Sequence, residues 1–454
     1  MWWKAVRAVS ATLFGQRNAT ARASSTCSRR VVDMASRDGE LRVFIVAGEV
    51  SGDSIASRLM ASLKRISPFP VRFSGVGGAL MNCEGLQSLF PMEDISVMGI
   101  FELLPYLNKI RIRLKETVEV ARLFQPHVVV TIDSKGFSFR LLKQLKVRYS
   151  KEEHCPICVH YVAPSFWAWK GGERRLGKLS EFVDYLLCIL PFEEEICRLN
   201  GLAASYVGHP LLEYAFQLNM EHGSTSCNGG FQGNGDAFRQ QHGIPPGNTV
   251  ITLLPGSRLQ EVKRMLPIFS QTMELLNASF TGLSAIIPVA PHQHVASYIE
   301  QEICSSSLSA ILIPGMSLQQ RYDAFSASRA ALCTSGSAVM ELQLTGLPSV
   351  VAYRAHFLTE WLIQYRTKLR FISLPNILLD SEFIPEFLFH SCTYKNLATT
   401  LSKIILDEDA RAKQIAAAEQ ILSLLCPQGL NSVTENCCPS MNAASIVLYG
   451  AKKD

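Results

Sequence analysis

The chain has 454 residues, 48% hydrophobic and 18% charged, with a net charge of only +5. That length is too great for one ordinary core and points to two domains. No run of about 18 apolar residues occurs, which argues against a spanning helix, and the weak net charge, much of it N-terminal, argues against a nucleic-acid partner.

The first segment reads as an address. From Met1 to Val32 there is no acidic residue, while Lys4, Arg7, Arg17, Arg22, Arg29 and Arg30 are spread among Ala, Ser and Thr. This is the composition of an organellar transit peptide, mitochondrial before chloroplast; the alternative is a basic tail with no import role. Residues 1–40 are therefore expected to be disordered, with folded structure beginning near Leu41. The 13 cysteines are scattered without framework spacing, which fits a reducing compartment.

From there short apolar runs alternate with helical segments. "LRVFIVA" (41–47), "VRFSGV" (71–76), "HVVVTI" (127–132), "PICVHYV" (156–162) and "YLLCIL" (185–190) read as buried strands of a first domain over 41–215. A Gly-, Asn- and Ser-rich stretch inside 216–240 reads as a flexible linker or insertion. The rhythm restarts with "TVITLLP" (249–255), "LSAIIPVA" (283–290), "SAILIP" (309–314), "AALCT" (330–334) and "PSVVAY" (348–353), giving a second domain over 241–425. Residues 426–454 form a weakly patterned tail. The fold class is α/β: two Rossmann-like domains with parallel sheets, whose strand ends face a shared cleft.

Four strand-to-helix junctions place small or polar residues at that edge. In "VAGEVSGD" (46–53), Gly48 and Gly52 permit a tight turn, Ser51 or Asp53 can cap the next helix, and Glu49 is either a cleft carboxylate or a solvated loop charge. In "VVVTIDSKGF" (128–137), Asp133 either orients or deprotonates a hydroxyl in the cleft, or caps a helix. In "LLPGSRLQEV" (253–262), Gly256 and Ser257 leave backbone N–H groups free beside Arg258, a combination suited to a diphosphate. In "CTSGSAVMEL" (333–342), Ser335, Gly336 and Ser337 are small enough for a phosphate to approach, with Glu341 a turn further on. No G-x-G-x-x-G, P-loop or G-x-S-x-G pattern occurs, which disfavours a dinucleotide dehydrogenase, a P-loop NTPase and an α/β-hydrolase. His154, Cys155, Cys158 and His160 invite a zinc reading, but one C-x-x-C leading into a buried strand is a weak site, and no metal is expected.

The stretch 97–124 carries a helical stripe of Leu103, Leu107, Ile110, Leu114, Val118 and Ala121. Met98, Ile100, Phe101, Leu104 and Tyr106 add apolar surface beside Lys109, Arg111, Arg113 and Lys115. Such a segment is either a core-facing helix with a basic outer side or a greasy, basic lip for acyl chains and a membrane surface. Trp167 and Trp169 of "SFWAWK" either wall the cleft or pack in the core.

"VAGEVSGD", "GVGG", "VMGIFELL", "IDSKGFSF", "YVAPSFWAWK", "LPFEEE", "VGHPLL", "LLPGSRLQEV", "TSGSAVMEL", "VAYR" and "SLPNILL" follow one another in the order and approximate spacing of the lipid-A-disaccharide synthases. Over roughly Val43–Leu379 the chain resembles that family, in a plant-type organellar version. The resemblance implies a GT-B fold and transfer of a diacylglucosamine unit from UDP to 2,3-diacylglucosamine 1-phosphate. The new linkage is β-1,6, the anomeric carbon inverts, and neither metal nor cofactor takes part. It implies Asp133 as the catalytic carboxylate, and Gly256, Ser257, Arg258, Ser335, Gly336 and Ser337 around the diphosphate. Glu341 and Asn376 are further donor contacts by the same resemblance, with Glu49, Ser51, Gly52 and Asp53 on the acceptor side of the cleft. Acylated substrates favour the lip reading of Met98, Ile100, Phe101, Leu104, Arg111 and Arg113, hence a peripheral protein on the matrix side of the inner mitochondrial membrane. A homodimer is also expected.

Several features depart from the family, among them the Gly/Asn-rich insertion and the Cys-rich tail, which bear on any C-terminal swap or dimer contact. Bacterial members often carry Ala-Pro after the aspartate and some a second acidic residue where Gly136 stands, so the base is less sharply defined here. A UDP-N-acetylglucosamine epimerase and a non-catalytic nucleotide-sugar or lipid-binding module are the alternative readings.

Overall fold

A computed structural model describes residues 29–453 except 97–106, 151–154, 215–232, 290–292, 306–307, 316, 356–359, 362–364, 426–437 and 451. The presequence before Arg29, most of the linker and the lip residues Met98, Ile100, Phe101 and Leu104 lie outside the described residues.

Arg29–Arg30 form a short strand, β1, followed by helix α1 (Val31–Asp38). A parallel sheet follows, in the order β3-β2-β4-β5-β6-β7, with β2 at Leu41–Ala47, β3 at Val71–Val76, β4 at Val128–Ile132, β5 at Ile157–Tyr161, β6 at Tyr185–Cys188 and β7 at Ala204–Tyr206. Every residue of β4 and β5 is buried. Helices cover both faces of the sheet, so its inner strands are continuous apolar runs instead of alternating ones. The second sheet repeats the design in the order β10-β9-β8-β11-β12-β13: β8 Thr249–Leu254, β9 Leu283–Pro288, β10 Ala310–Ile313, β11 Ala330–Cys333, β12 Ser349–Tyr353 and β13 Glu386–Leu388. The two sheets have separate cores, the first around Phe44, Val129 and Leu186 on one face and Ile45, Val130 and Leu187 on the other.

In each sheet the strand order reverses once near its middle. The reversal falls between β2 and β4 in the first sheet and between β8 and β11 in the second. At such a switch point the two flanking connections leave in opposite directions and open a crevice at the carboxyl ends of the strands. The junctions at Gly48–Glu49 and Asp133 flank the first crevice, and those at Gly256–Arg258 and Ser335–Ser337 flank the second.

The two ends of the chain differ from expectation. The fold starts before Leu41: α1 buries Val31 and Ala35 against the first core, Asp33 accepts the Arg30 backbone N–H at 3.3 Å, and Gly39 closes the helix at φ 72°. Its eight residues are too few to show a periodicity that stands out from the basic stretch before it. The tail is also structured in part. Helix α7 (Pro439–Ser445) and the turn Ile446–Gly450 return to the first domain, where Ala443, Ala444, Val447 and Leu448 complete its core. There the Ser440 and Ser62 hydroxyls pair at 2.7 Å, and strand β14 (Lys452–Lys453) runs antiparallel to β1. Small residues pack α7 closely but give little hydrophobic signal.

The halves also touch beside the cleft. Trp169 bridges Thr367, Lys170 N–H donates to the Arg366 carbonyl at 2.9 Å, and Lys368 N–H donates to the Ala168 carbonyl at 2.9 Å. Of the two tryptophans, Trp167 is a core residue, its indole N–H donating to buried Glu193 at 3.1 Å.

Candidate active site

The register pairs Ala47 of β2 with Ile132 of β4, so the next residues of both chains emerge side by side. Glu49 is extended, at φ −145°, and stands as the N-cap of helix α2 (Val50–Ile66) without capping it through its side chain. Asp133 and Ser134 are both left-handed, at φ 47° and 41°. Each such residue costs on the order of 1–3 kcal/mol and persists only where its surroundings impose it. Here Asp133 N–H donates to the Tyr161 carbonyl at 3.0 Å and the Ser138 hydroxyl donates to the Asp133 carbonyl at 2.9 Å. Gly48 is needed opposite, because a Cβ there would lie 2.5 Å from the Ser134 hydroxyl.

Asp133 is therefore not a helix cap; Ser134 holds that place before helix α3 (Lys135–Tyr149). Burial pushes the Asp133 carboxyl above its ordinary value, opposed by the Ser134 backbone N–H and the charges of Lys135 and Arg258. Glu49 is raised as well, first by burial and then by the Asp133 charge, with Arg258 and Lys135 opposing. Two carboxylates and two cations thus share one crevice.

In the second half Leu254 of β8 pairs with Cys333 of β11, bringing the loops Pro255–Arg258 and Thr334–Ser337 together. Arg258 is the N-cap of helix α4 (Leu259–Asn277), and its half-exposed guanidinium reaches across the cleft to within 3.6 Å of the Glu49 carboxylate. Gly336 is extended and Ser337 opens helix α5 (Ser337–Leu344); both are exposed. The Ser335 hydroxyl donates to the Ile372 carbonyl at 3.3 Å. Glu341, one turn into α5, accepts from the Arg321 guanidinium at 2.9 Å.

Other expected site residues lie elsewhere or do other work. Asp53 is buried, and its carboxylate accepts the N–H groups of Gly78, Leu80 and Met81 at 2.8, 3.0 and 3.1 Å. It clamps the "GVGG" turn and neither caps α2 nor faces the cleft. Gly52 is buried against Ala47 and Ile132, while Ser51 is exposed on the first turn of α2. Asn376 is fully buried in helix α6 (Leu374–Leu379) and makes no donor surface. Its amide N–H groups donate to the Ile384 carbonyl and to Glu386, both at 2.8 Å, and its oxygen accepts the Phe383 and Ile384 N–H groups at 3.3 and 3.1 Å. Asn376→Ala is accordingly expected to cost about 2–4 kcal/mol of stability, by orphaning these partners. Chemical denaturation would show this loss, with the donor KM of the folded fraction unchanged.

Arg113 is likewise committed, donating to Asp94 at 2.8 Å and Glu116 at 2.9 Å. Arg111 remains exposed. In the helix Leu107–Phe124 the stripe Leu114, Val118 and Ala121 faces the core, but Leu107 and Ile112 are exposed at the end nearest the lip. His160, of the zinc reading, is buried with its Nδ1 2.8 Å from the Thr131 hydroxyl, and burial lowers its pKa to about 3. Among the described residues no cluster of three His, Cys, Asp or Glu is arranged to hold a metal.

Sequence reasoning passed over two members of the site. Lys135 was visible only as the residue after Ser134. Glu261 stands in the first turn of α4 with its carboxylate close over Gly256; burial raises its pKa, opposed by the Arg258 charge, the backbone of Ser257 and Arg258 and the Thr334 side chain.

Two parallel-sheet domains with facing switch points, one bearing carboxylates and the other an anion-suited loop, define the GT-B architecture of nucleotide-sugar enzymes. A solved UDP-GlcNAc 2-epimerase from Neisseria meningitidis shares it, with a TM-score of 0.56 and 13% identity over 85% of this chain and 98% of that one. A glycosyltransferase from Rickettsia africae gives a TM-score of 0.50 and 11% identity over 91% and 99%. At such identities the likeness is one of fold alone. Sequence is more specific: the family model for lipid-A-disaccharide synthetase matches residues 43–434. The Arabidopsis thaliana protein named "Probable lipid-A-disaccharide synthase, mitochondrial" is 54% identical over 443 residues, covering 95% of each chain. The lipid-A-disaccharide synthase of Rhodospirillum centenum is 38% identical over 408 residues, covering 90% of this chain and 94% of that one. The chain belongs to the lipid-A-disaccharide synthetase family.

Proposed function

We propose that the protein joins UDP-2,3-diacylglucosamine to 2,3-diacylglucosamine 1-phosphate, giving a β-1,6-linked tetra-acyl disaccharide 1-phosphate and UDP. Asp133 takes the proton from the acceptor 6-hydroxyl as its oxygen attacks the anomeric carbon from the face opposite UDP, and the C–O bond to the diphosphate breaks with inversion. The backbone N–H groups at the start of α4, the Arg258 guanidinium and the Ser335–Ser337 loop hold the diphosphate as its charge grows. Glu341 serves the uridine end of the donor, and the Glu49–Ser51 turn borders the acceptor. The observation that carries this reading is the meeting of Asp133 and Arg258 at facing switch points, with Glu49 3.6 Å from Arg258.

The acyl chains leave the cleft over the lip that includes Arg111, which places the protein on a membrane surface as a peripheral enzyme. The acid-free, arginine-bearing N-terminus and the mitochondrial relative support a mitochondrial location, and the acylated substrates would put the protein on the matrix side of the inner membrane. The deciding experiment mixes purified protein with both acylated precursors and follows products by mass spectrometry. A tetra-acyl disaccharide phosphate formed together with UDP is expected. Conversion of UDP-N-acetylglucosamine without a lipid acceptor would replace this reading with the epimerase one.

A further inference from the structure

The cradle assigned to the donor diphosphate already contains an anion from the same chain. Glu261 is the third residue of α4, and its side chain folds back over the helix start. Around it the Arg258 charge, the backbone of Ser257 and Arg258 and the Thr334 side chain all favour its charged form against burial, so it stands between the two loops given above to the diphosphate. Gly256 shows how closely it lies: at φ 122°, a Cβ added there would stand 2.3 Å from Glu261 Oε2. On the open side, Glu49 of the first domain faces the Arg258 guanidinium at 3.6 Å.

We infer that Glu261 is a surrogate anion that the donor's diphosphate displaces, and hence a residue that sets the enzyme's affinity for the diphosphate group. The inference rests on the reading that the diphosphate binds at Gly256–Arg258. Backbone N–H groups at a helix start favour negative charge, but they cannot serve a carboxylate and a phosphate oxygen at once, because two like charges at that separation repel. With Glu261 in place the loops keep their shape while no donor is bound. The diphosphate gains only the difference between its own interactions and those of Glu261. The same competition weakens the hold on UDP after transfer and returns the cradle to its resting form. Burial also pushes the Glu261 carboxyl above its ordinary value, so giving up the charged form in place is easier for it than for a solvated glutamate.

The test is calorimetric titration of the full-length protein with UDP and, separately, with uridine, which has the base and ribose but no phosphate. Three proteins are compared: wild type, Glu261→Gln and Arg258→Ala. The glutamine keeps the size of the side chain and one acceptor oxygen but removes the competing charge. The expected result is UDP binding tightened about fivefold or more by Glu261→Gln, with uridine affinity unchanged, and UDP binding weakened by Arg258→Ala. If Arg258→Ala weakens UDP while Glu261→Gln leaves it equal or weaker, the carboxylate merely props the loop and the inference falls alone. If Arg258→Ala leaves UDP affinity untouched, the diphosphate lies elsewhere and both readings fall. Should Glu261→Gln not fold, Glu261→Asp carries the same expectation, since its shorter side chain withdraws the charge from the N–H groups.

Discussion

Asp133→Asn is expected to lower kcat by about a thousandfold while leaving the folded state essentially intact, a loss in the range of a positioned general base. Asparagine is the informative replacement because it is among the few residues that tolerate left-handed backbone. The variant therefore keeps the turn in which Asp133 and Ser134 sit at φ 47° and 41° and removes only the basic oxygen. Alanine would add strain at the same position and blur the reading. Circular dichroism and thermal unfolding establish the fold, and UDP release in the presence of both acylated sugars measures the chemistry. The pH profile gives a second measure. A base acts only when ionised, so kcat/KM falls as the pH drops through the carboxyl's pKa. Burial raises that pKa, and the acid limb is therefore expected above the ordinary aspartate range.

Arg258→Ala is expected to reduce kcat/KM for the UDP-linked donor by about a hundredfold or more, the scale of losing one charged donor to a leaving group. Lysine should restore little of this, because a single ammonium cannot offer the paired, planar N–H groups that grip two phosphate oxygens. Stability should hardly change. The guanidinium is 55% exposed and 3.6 Å from Glu49, and such an ion pair is worth about 1 kcal/mol at most. Steady-state kinetics over a donor concentration series, with thermal melts of the same samples, separates the two effects. A large loss of stability with unchanged kinetics would remove Arg258 from the site.

The buried strands were readable because inner strands of a parallel sheet are covered on both faces and so write themselves as unbroken apolar runs, as "HVVVTI" does. The junctions were readable for a related reason: a doubly wound sheet concentrates its chemistry where strands end, and Asp133 and Arg258 both follow such strands. What escaped reading was decided in three dimensions. Asp53 and Asp133 both follow strands, yet one carboxylate is spent on three N–H groups and the other lies beside the charges of Lys135 and Arg258. Asn376 lies in a motif of the family, but its amide is consumed by Ile384 and Glu386, a pairing that spans a turn and has no periodic signature. Glu261 escaped because an acidic residue in the first turn of a helix is ordinary; only its folded-back side chain sets it apart. The short helices at the chain's two ends were lost because their packing depends on partners far away in the sequence.

That last contact has a bearing on biogenesis. The Rossmann-like unit begun by Val31 is finished by Ala443, Ala444, Val447 and Leu448, so it encloses the entire second unit as an insertion in its own covalent order. A nascent chain holds an open seam on its leading half until Ala443–Leu448 arrive. Loss of α7 and the turn after it is accordingly expected to expose apolar surface of the first unit while leaving the core of the second untouched.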